Sequence, residues 1–199
     1  MTRTKTTQNN RGTLDVERIA TAALDLFNEN GYDGTSMDQI ARQLGVTKAA
    51  LYYHAPGGKT QLLDHAMRRV MDPLWVSLQE PGAVNGNNYD RLQYALTRQV
   101  ELVLQGMPEI AYFLLPIAHH PRKDQARARR RAYDAAIRQM LEDAIADGDI
   151  RQDVDPAITL RLMLGMVYSV NEWYRSDGAK SQTDIRDTVL ALIFQGINP

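Results

Sequence analysis

Thr35-Ser-Met-Asp-Gln-Ile-Ala-Arg-Gln-Leu-Gly-Val-Thr-Lys-Ala-Ala-Leu-Tyr-Tyr-His54, running on to Lys59, is the stretch on which the reading of this chain turns. Ser36 suits the N-cap of a short helix: its hydroxyl accepts from an orphan backbone N–H, while Gln39, three residues on, reaches back as in a capping box. Ile40, Ala41 and Leu44 share one face at helical spacing, and Gly45 takes the left-handed conformation that ends a helix. That helix is only about two turns long. Val46 plugs the corner, Thr47 is again an N-cap residue, and a second helix starts at Lys48 after a turn of about three residues. The spacing is that of a helix-turn-helix.

The second helix divides its faces in a way that packing alone does not require. Ala50, Leu51 and Ala55 point back toward the first helix, while Lys48, Ala49, Tyr52 and Tyr53 point away. A helix in a DNA major groove uses phenol hydroxyls on phosphates and bases, and small Ala49 approaches a thymine methyl. The competing reading, an ordinary helical hairpin, needs those tyrosines covered by another segment. Gly58-Lys59-Thr60 is not the tail of a nucleotide-binding P-loop, because that pattern needs glycine at position 53, where this chain has Tyr53, and no strand precedes it. His54 and His65 lie far apart without cysteine or a compact carboxylate cluster, so no metal site is expected.

Gly34-Thr35-Ser36 through Gly45-Val46-Thr47, then Leu51-Tyr52-Tyr53-His54 and Pro56-Gly57-Gly58-Lys59, resembles the N-terminal DNA-binding domain of the TetR family of bacterial repressors over roughly residues 14 to 65. The resemblance implies an all-α protein of about nine helices: a three-helix DNA-binding domain followed by a helical ligand-binding and dimerisation domain. It implies a repressor that binds a palindromic double-stranded operator as a homodimer, through its last two helices, and is released by a small-molecule effector. Carried over by position, Ser36 holds a phosphate at the start of the first motif helix. Thr47, Lys48, Ala49, Tyr52, Tyr53 and His54 belong to the recognition helix and its cap, and Lys59 binds phosphate at the start of the next helix. Many members have an aromatic after the histidine; Ala55 stands here instead, which puts the packing of that junction in doubt.

Composition bounds the rest. The chain has 199 residues, 44% of them hydrophobic, and a formal charge of −1, enough to bury a core in one large domain or in a small domain on a larger one. Residues 1 to 60 carry seven basic and six acidic groups, so any basic field is local. The expected division is a disordered basic arm over residues 1–12, a DNA-binding domain over 13–58 and an effector domain over 59–199. Arg3, Lys5 and Arg11 in the arm fit a strand lying along phosphates and a solvated tail equally well. The absence of cysteine excludes disulfides, thiol nucleophiles and Cys-zinc sites. No signal peptide opens the chain, and runs such as Leu162 to Val170 fall short of the roughly 20 residues that span a bilayer, so a cytoplasmic, nucleoid-associated protein without membrane contact is expected. An enzyme on a helical bundle needs a nucleophile with its base, or Glu-x-x-His pairs. The sequence offers neither, and neither an enzyme nor a cofactor is expected.

Along the chain, Thr13 or Asp15 caps a helix whose apolar stripe is Val16, Ile19, Ala20, Ala23, Leu24 and Phe27, ending at Gly31. Leu24 and Phe27 are expected to meet Ile40 and Leu51. A long helix from Thr60 reaches from the motif into the second domain, and residues 81 to 88 read as a loop. Helices are expected at about Tyr89 to Leu104, Glu109 to Ala118, Pro121 to Ala146, from Pro156 onward, and from Thr183 to about Gly196. The arginines of the third of these, Arg122 to Arg131, read first as a solvated face and second as a binding site for an acidic ligand. The last two helices are apolar nearly all round, which asks for cover on both sides, some of it from a second copy.

Met67, Met71, Trp75, Tyr112, Phe113, Tyr133, Met140, Tyr168 and Trp173 fall on the helices that line the effector cavity in the family; flexible methionines and flat rings suit such a pocket, and suit a plain core equally. Trp173-Tyr174-Arg175-Ser176-Asp177-Gly178 is similar to the Trp-Tyr-Arg-Pro-Gly-Gly ending found in members that control lipid and sterol catabolism and answer to acyl-CoA thioesters. Ser176-Asp177 replaces Pro-Gly, so an acyl-CoA-type effector rests on a short match.

Overall fold

The fold is described from a computed structural model over residues 14–105 and 123–199, the side chains of 123–127 excepted. It is all-helical there, with nine helices and no strand among the described residues. The sequence expectations for the arm, for Phe113 and Tyr112, for the helix at 109–118 and for Arg122 lie outside that range.

α1 (Val16–Asn30) is capped by the Asp15 carboxylate, which accepts from Arg18 N–H at 2.8 Å. α2 (Met37–Leu44) carries the expected capping box, with both the Ser36 and the Gln39 side chains engaged. Gly45 ends it in the left-handed region, φ 67°. Its N–H donates to Arg42 O at 3.1 Å and that of Val46 to Ala41 O at 3.0 Å, the paired bonds of a Schellman ending. α3 (Lys48–His54) follows at once, with the Thr47 hydroxyl accepting from Ala50 N–H at 3.2 Å. α4 (Gly58–Ser77) starts two residues earlier than the apolar pattern suggested.

Ile19, Leu24, Phe27, Ile40, Leu51, Ala55, Leu62 and Leu63 form one buried cluster, which is the core of the head. Ala55 is fully buried, so the position where an aromatic was expected is filled by close packing. The cluster runs into α4 as far as Ala66, and from Val70 the same helix belongs to the second core. Met67 packs against both. One continuous helix therefore shares its buried face between head and body, and the boundary expected at residue 58 falls at the start of an element that both sides use.

Residues 81 to 88 are not wholly a loop. Pro81–Val84 forms one helical turn, α5, because Pro81 stands at its first position, where a missing N–H costs nothing. α6 (Asn88–Leu104) begins at an Asn87 cap. α7 (Lys123–Ala146), α8 (Pro156–Trp173) and α9 (Gln182–Ile197) complete the body. Asp155 caps α8, and Ser181 with Asp184 makes a second capping box on α9. The body core joins α4, α6, α7, α8 and α9 through residues such as Leu74, Leu96, Val100, Ile137, Leu141, Val167 and Phe194. Among the described residues no helix is long and apolar enough to cross a membrane.

Candidate nucleic-acid interface and a buried polar cluster

Leu51 is completely buried beneath α3, and its burial fixes which way the rest of that helix faces. Tyr52 is 42% and Tyr53 84% exposed, so among the described residues no segment covers the two rings. His54 packs edge-to-face on the Tyr53 ring, centroids 5.1 Å apart. Lys48 and Ala49 are exposed on the same helix. Exposed adjacent tyrosines on a helix of seven residues are unlike a packed hairpin and match a groove-reading surface.

Beside α3 a notch of about 430 Å³ is lined by Tyr32, Ser36, Asp38, Lys48, Tyr52 and Lys59, among others. The N-terminal ends of α2 and α4 both open on it, and helix N-termini favour anions. Lys59 stands in its wall: the ammonium donates to Tyr32 O and Thr35 O, each at 2.6 Å, and lies 4.4 Å from the Tyr32 ring centroid. Those two bonds hold the α1–α2 turn. Tyr32 is the residue that sequence reading missed here. Its ring packs on Phe27, its hydroxyl reaches Thr60 at 3.1 Å, and burial pushes its phenol pKa up. The buried Thr35 hydroxyl sits between Leu26 O and Gly31 O at 3.0 and 2.9 Å, which closes the same turn. Asp38 was also missed: it accepts from Lys48 Nζ at 2.9 Å on the open face of the motif.

The body buries polar groups of a different kind. Among the described residues, four buried polar atoms lack a hydrogen-bond partner: Trp75 Nε1, Gln99 Oε1, the Tyr133 hydroxyl and Asp134 Oδ1. Such orphans are uncommon in a folded interior, because each costs its desolvation. Trp75 on α4 packs edge-to-face on Tyr133 of α7, centroids 5.9 Å apart. Gln99 of α6 is bonded through its side-chain nitrogen to the Tyr168 hydroxyl of α8 at 2.5 Å. Arg130 lies 5.8 Å from the Tyr168 ring centroid and 3.9 Å from Asp134. Burial pushes Tyr168 up to about 12 and drives the fully buried Tyr133 higher still; burial also raises Asp134, against the opposing pull of Arg130.

Of the residues expected to line an effector cavity, Met71, Tyr133 and Met140 lie in the body core, with Met67, Trp75 and Tyr168 packed against it. Trp173 stands apart from them. It is 56% exposed on the outer side of α8, because it continues the line of Ile158, Leu162 and Met166 rather than the inward line of Met163, Val167 and Val170. Among the described residues no group of His, Cys, Asp and Glu is placed to hold a metal ion.

Residues 19–66 match the family model for bacterial regulatory proteins of the tetR family, and residues 85–197 match that for the tetracyclin repressor-like C-terminal domain. The solved structure of SCO3833, a TetR-family regulator from Streptomyces coelicolor A3, superposes with TM-score 0.83 at 34% identity, covering 91% of each chain. AibR, solved in complex with isovaleryl coenzyme A and operator DNA, superposes with TM-score 0.75 at 29% identity over 90% of this chain and 97% of that one. HTH-type transcriptional regulator LmrA of Bacillus subtilis is 45% identical over 56 residues, a match that spans 28% of this chain and 30% of that protein. With both of its domains matched in order, the chain belongs to the TetR family of bacterial transcriptional regulators.

Proposed function

We propose that the protein is a cytoplasmic homodimeric repressor that binds a palindromic operator and leaves it when a small molecule occupies the body. The observation that carries the DNA half of this reading is the pair of exposed rings, Tyr52 and Tyr53, held out by a fully buried Leu51. In the reading, Tyr52, Tyr53, His54 and Ala49 enter the major groove. Ser36, Thr47 and Lys59 meet phosphates at the ends of α2, α3 and α4.

Two-fold pairing is supported by apolar surface left uncovered on the last two helices. Ile158, Leu162, Met166 and Trp173 on α8 are 60%, 68%, 37% and 56% exposed, and Leu192 on α9 is 60% exposed. Set at intervals of four, four and seven residues, the α8 group forms one stripe. A second copy buries it and places two reading helices roughly 34 Å apart, one turn of DNA.

The two orphaned donors, Trp75 Nε1–H and the Tyr133 hydroxyl, support an effector that is apolar in bulk and carries an acceptor. Trp75 Nε1–H and the Tyr133 O–H are donors that ask for an acceptor such as a carbonyl. A thioester carbonyl answers that description, which is the support the chain itself gives to an acyl-CoA-type effector. Release follows only if the effector prefers a body shape in which α4 sets the heads off operator spacing.

The test is a gel shift with the intergenic DNA upstream of the protein's own gene, with and without a panel of short-chain acyl-CoAs and their free acids. Specific retention of that DNA, reversed by one of the thioesters, is the expected result. Tyr52→Ala should weaken it by about 1–3 kcal/mol; unchanged affinity would take α3 off the DNA.

A further inference from the structure

The open face of the head carries a carboxylate where a surface made for a polyanion gains nothing from one. Asp38 stands in the first turn of α2, half exposed, and lines the same notch as Lys48, Tyr52 and Lys59. It is the one carboxylate among the residues lining that notch. Its Oδ2 accepts from Lys48 Nζ at 2.9 Å, across ten positions of sequence. Lys48, for its part, is the first residue of α3, where the helix dipole disfavours a cation. Its side chain is about half exposed and extends across the turn to Asp38 rather than out from the face.

We propose that Asp38 is a specificity residue that acts through Lys48: it holds the ammonium on the protein and keeps it from binding phosphates of any sequence. The inference rests on the DNA-binding reading above. Phosphate contacts raise affinity for every duplex alike, whereas base contacts separate one duplex from another. A cation at the front of the reading helix, left free, adds to the first kind and lowers the ratio between operator and random DNA. Asp38 removes that contribution by occupying the donor. Such an exposed pair contributes little to stability, so its removal leaves the fold intact while changing what the face does. Specificity achieved by penalising the wrong partner is the general logic.

The experiment compares two 30-base-pair duplexes, one of scrambled sequence and one selected from a random library by the native protein, in fluorescence anisotropy from about 50 to 300 mM salt. The native protein comes first: salt-independent binding, or none, would remove the DNA-binding reading itself before Asp38 is touched. Asp38→Asn is then expected to tighten the scrambled duplex about three- to tenfold near 0.1 M salt and to steepen its salt slope by about 0.9. The selected duplex should gain less, so the ratio between the two falls. Adding Lys48→Met to Asp38→Asn should abolish the gain. An Asp38→Asn protein with native melting and an unchanged scrambled-duplex slope overturns the proposal, as does a gain that persists in the double variant. If Asp38→Asn fails to fold, Lys48→Met alone decides. Its scrambled-duplex slope should equal that of the native protein, because the latched ammonium is not on the backbone. A slope shallower by about 0.9 overturns the proposal.

Discussion

Leu51→Ala tests whether the reading helix is held in place by one small core. The Leu51 side chain is completely buried, among a cluster that includes Leu24, Phe27, Ile40 and Leu63. α3 has seven residues and Leu51 is its one fully buried side chain, so the helix has no second anchor of its own. Truncation removes the transfer free energy of three carbons and leaves a cavity, together about 3–5 kcal/mol for a site that cannot collapse. Neighbours locked on α1, α2 and α4 make collapse unfavourable. At about 1.4 kcal/mol per factor of ten, local opening of the head becomes roughly 100- to 3,000-fold more frequent. Native-state hydrogen exchange reads this directly. Backbone amides of α2 and α3 should lose about two to three and a half decades of protection, while those of α6 and α8, which belong to the other core, keep theirs. Duplex binding should fall in step. Leu51→Met, which preserves volume, should cost under about 1.5 kcal/mol and retain binding. Amide protection in α3 within tenfold of native would refute the reasoning, and so would equal losses in head and body.

Three further outcomes follow from the body. Gly82→Ala drives a Cβ to 2.3 Å from the edge of the Tyr94 ring, whose hydroxyl is tied to Glu80. Overpacking of this kind costs about 1–3 kcal/mol and should appear as a lower melting temperature, whereas Gly178→Ala, whose nearest neighbour is the Arg175 carbonyl at 3.0 Å, should cost less. Tyr133→Phe deletes an unpartnered buried hydroxyl; chemical denaturation should find the variant as stable as native or up to about 1 kcal/mol more so, and gel shifts should find its effector response lost. Asp134 has its carboxyl pKa raised above 3.8, first by burial. A carboxyl raised on folding contributes stability that is complete at low pH and lost as pH rises through the folded-state value. Asp134→Asn should therefore flatten the decline seen just above ordinary carboxylate pH and be the more stable form at neutrality, as urea melts at several pH values would read.

The sequence by itself determined the elements that depend on neighbours a few positions apart. The Ser36–Gln39 box, the Gly45 ending, the Thr47 cap and the stripe of α1 are all short-range patterns, and each stands where spacing put it. That the two tyrosines face outward was legible too, because burial of Leu51 within a seven-residue helix leaves them no other side. Loop and turn were confused at Pro81, where proline signals a break and a helix start alike.

What only the tertiary structure decided lies between residues far apart in the chain. Lys59 meets the Tyr32 carbonyl across 27 positions, so a residue assigned to phosphate alone also pins the motif's corner. Trp173 and Tyr168 sit five residues apart on one apolar helix, yet one faces out and the other in; composition cannot rank the faces of a helix that is hydrophobic all round. Trp75 on α4 meets the Tyr133 ring on α7, and Gln99 on α6 meets Tyr168 on α8, only when those helices are packed. Hydrogen bonds and charges act over a few ångströms of space and are indifferent to separation along the chain. A sequence therefore specifies its helices locally and its sites only through the packing those helices adopt.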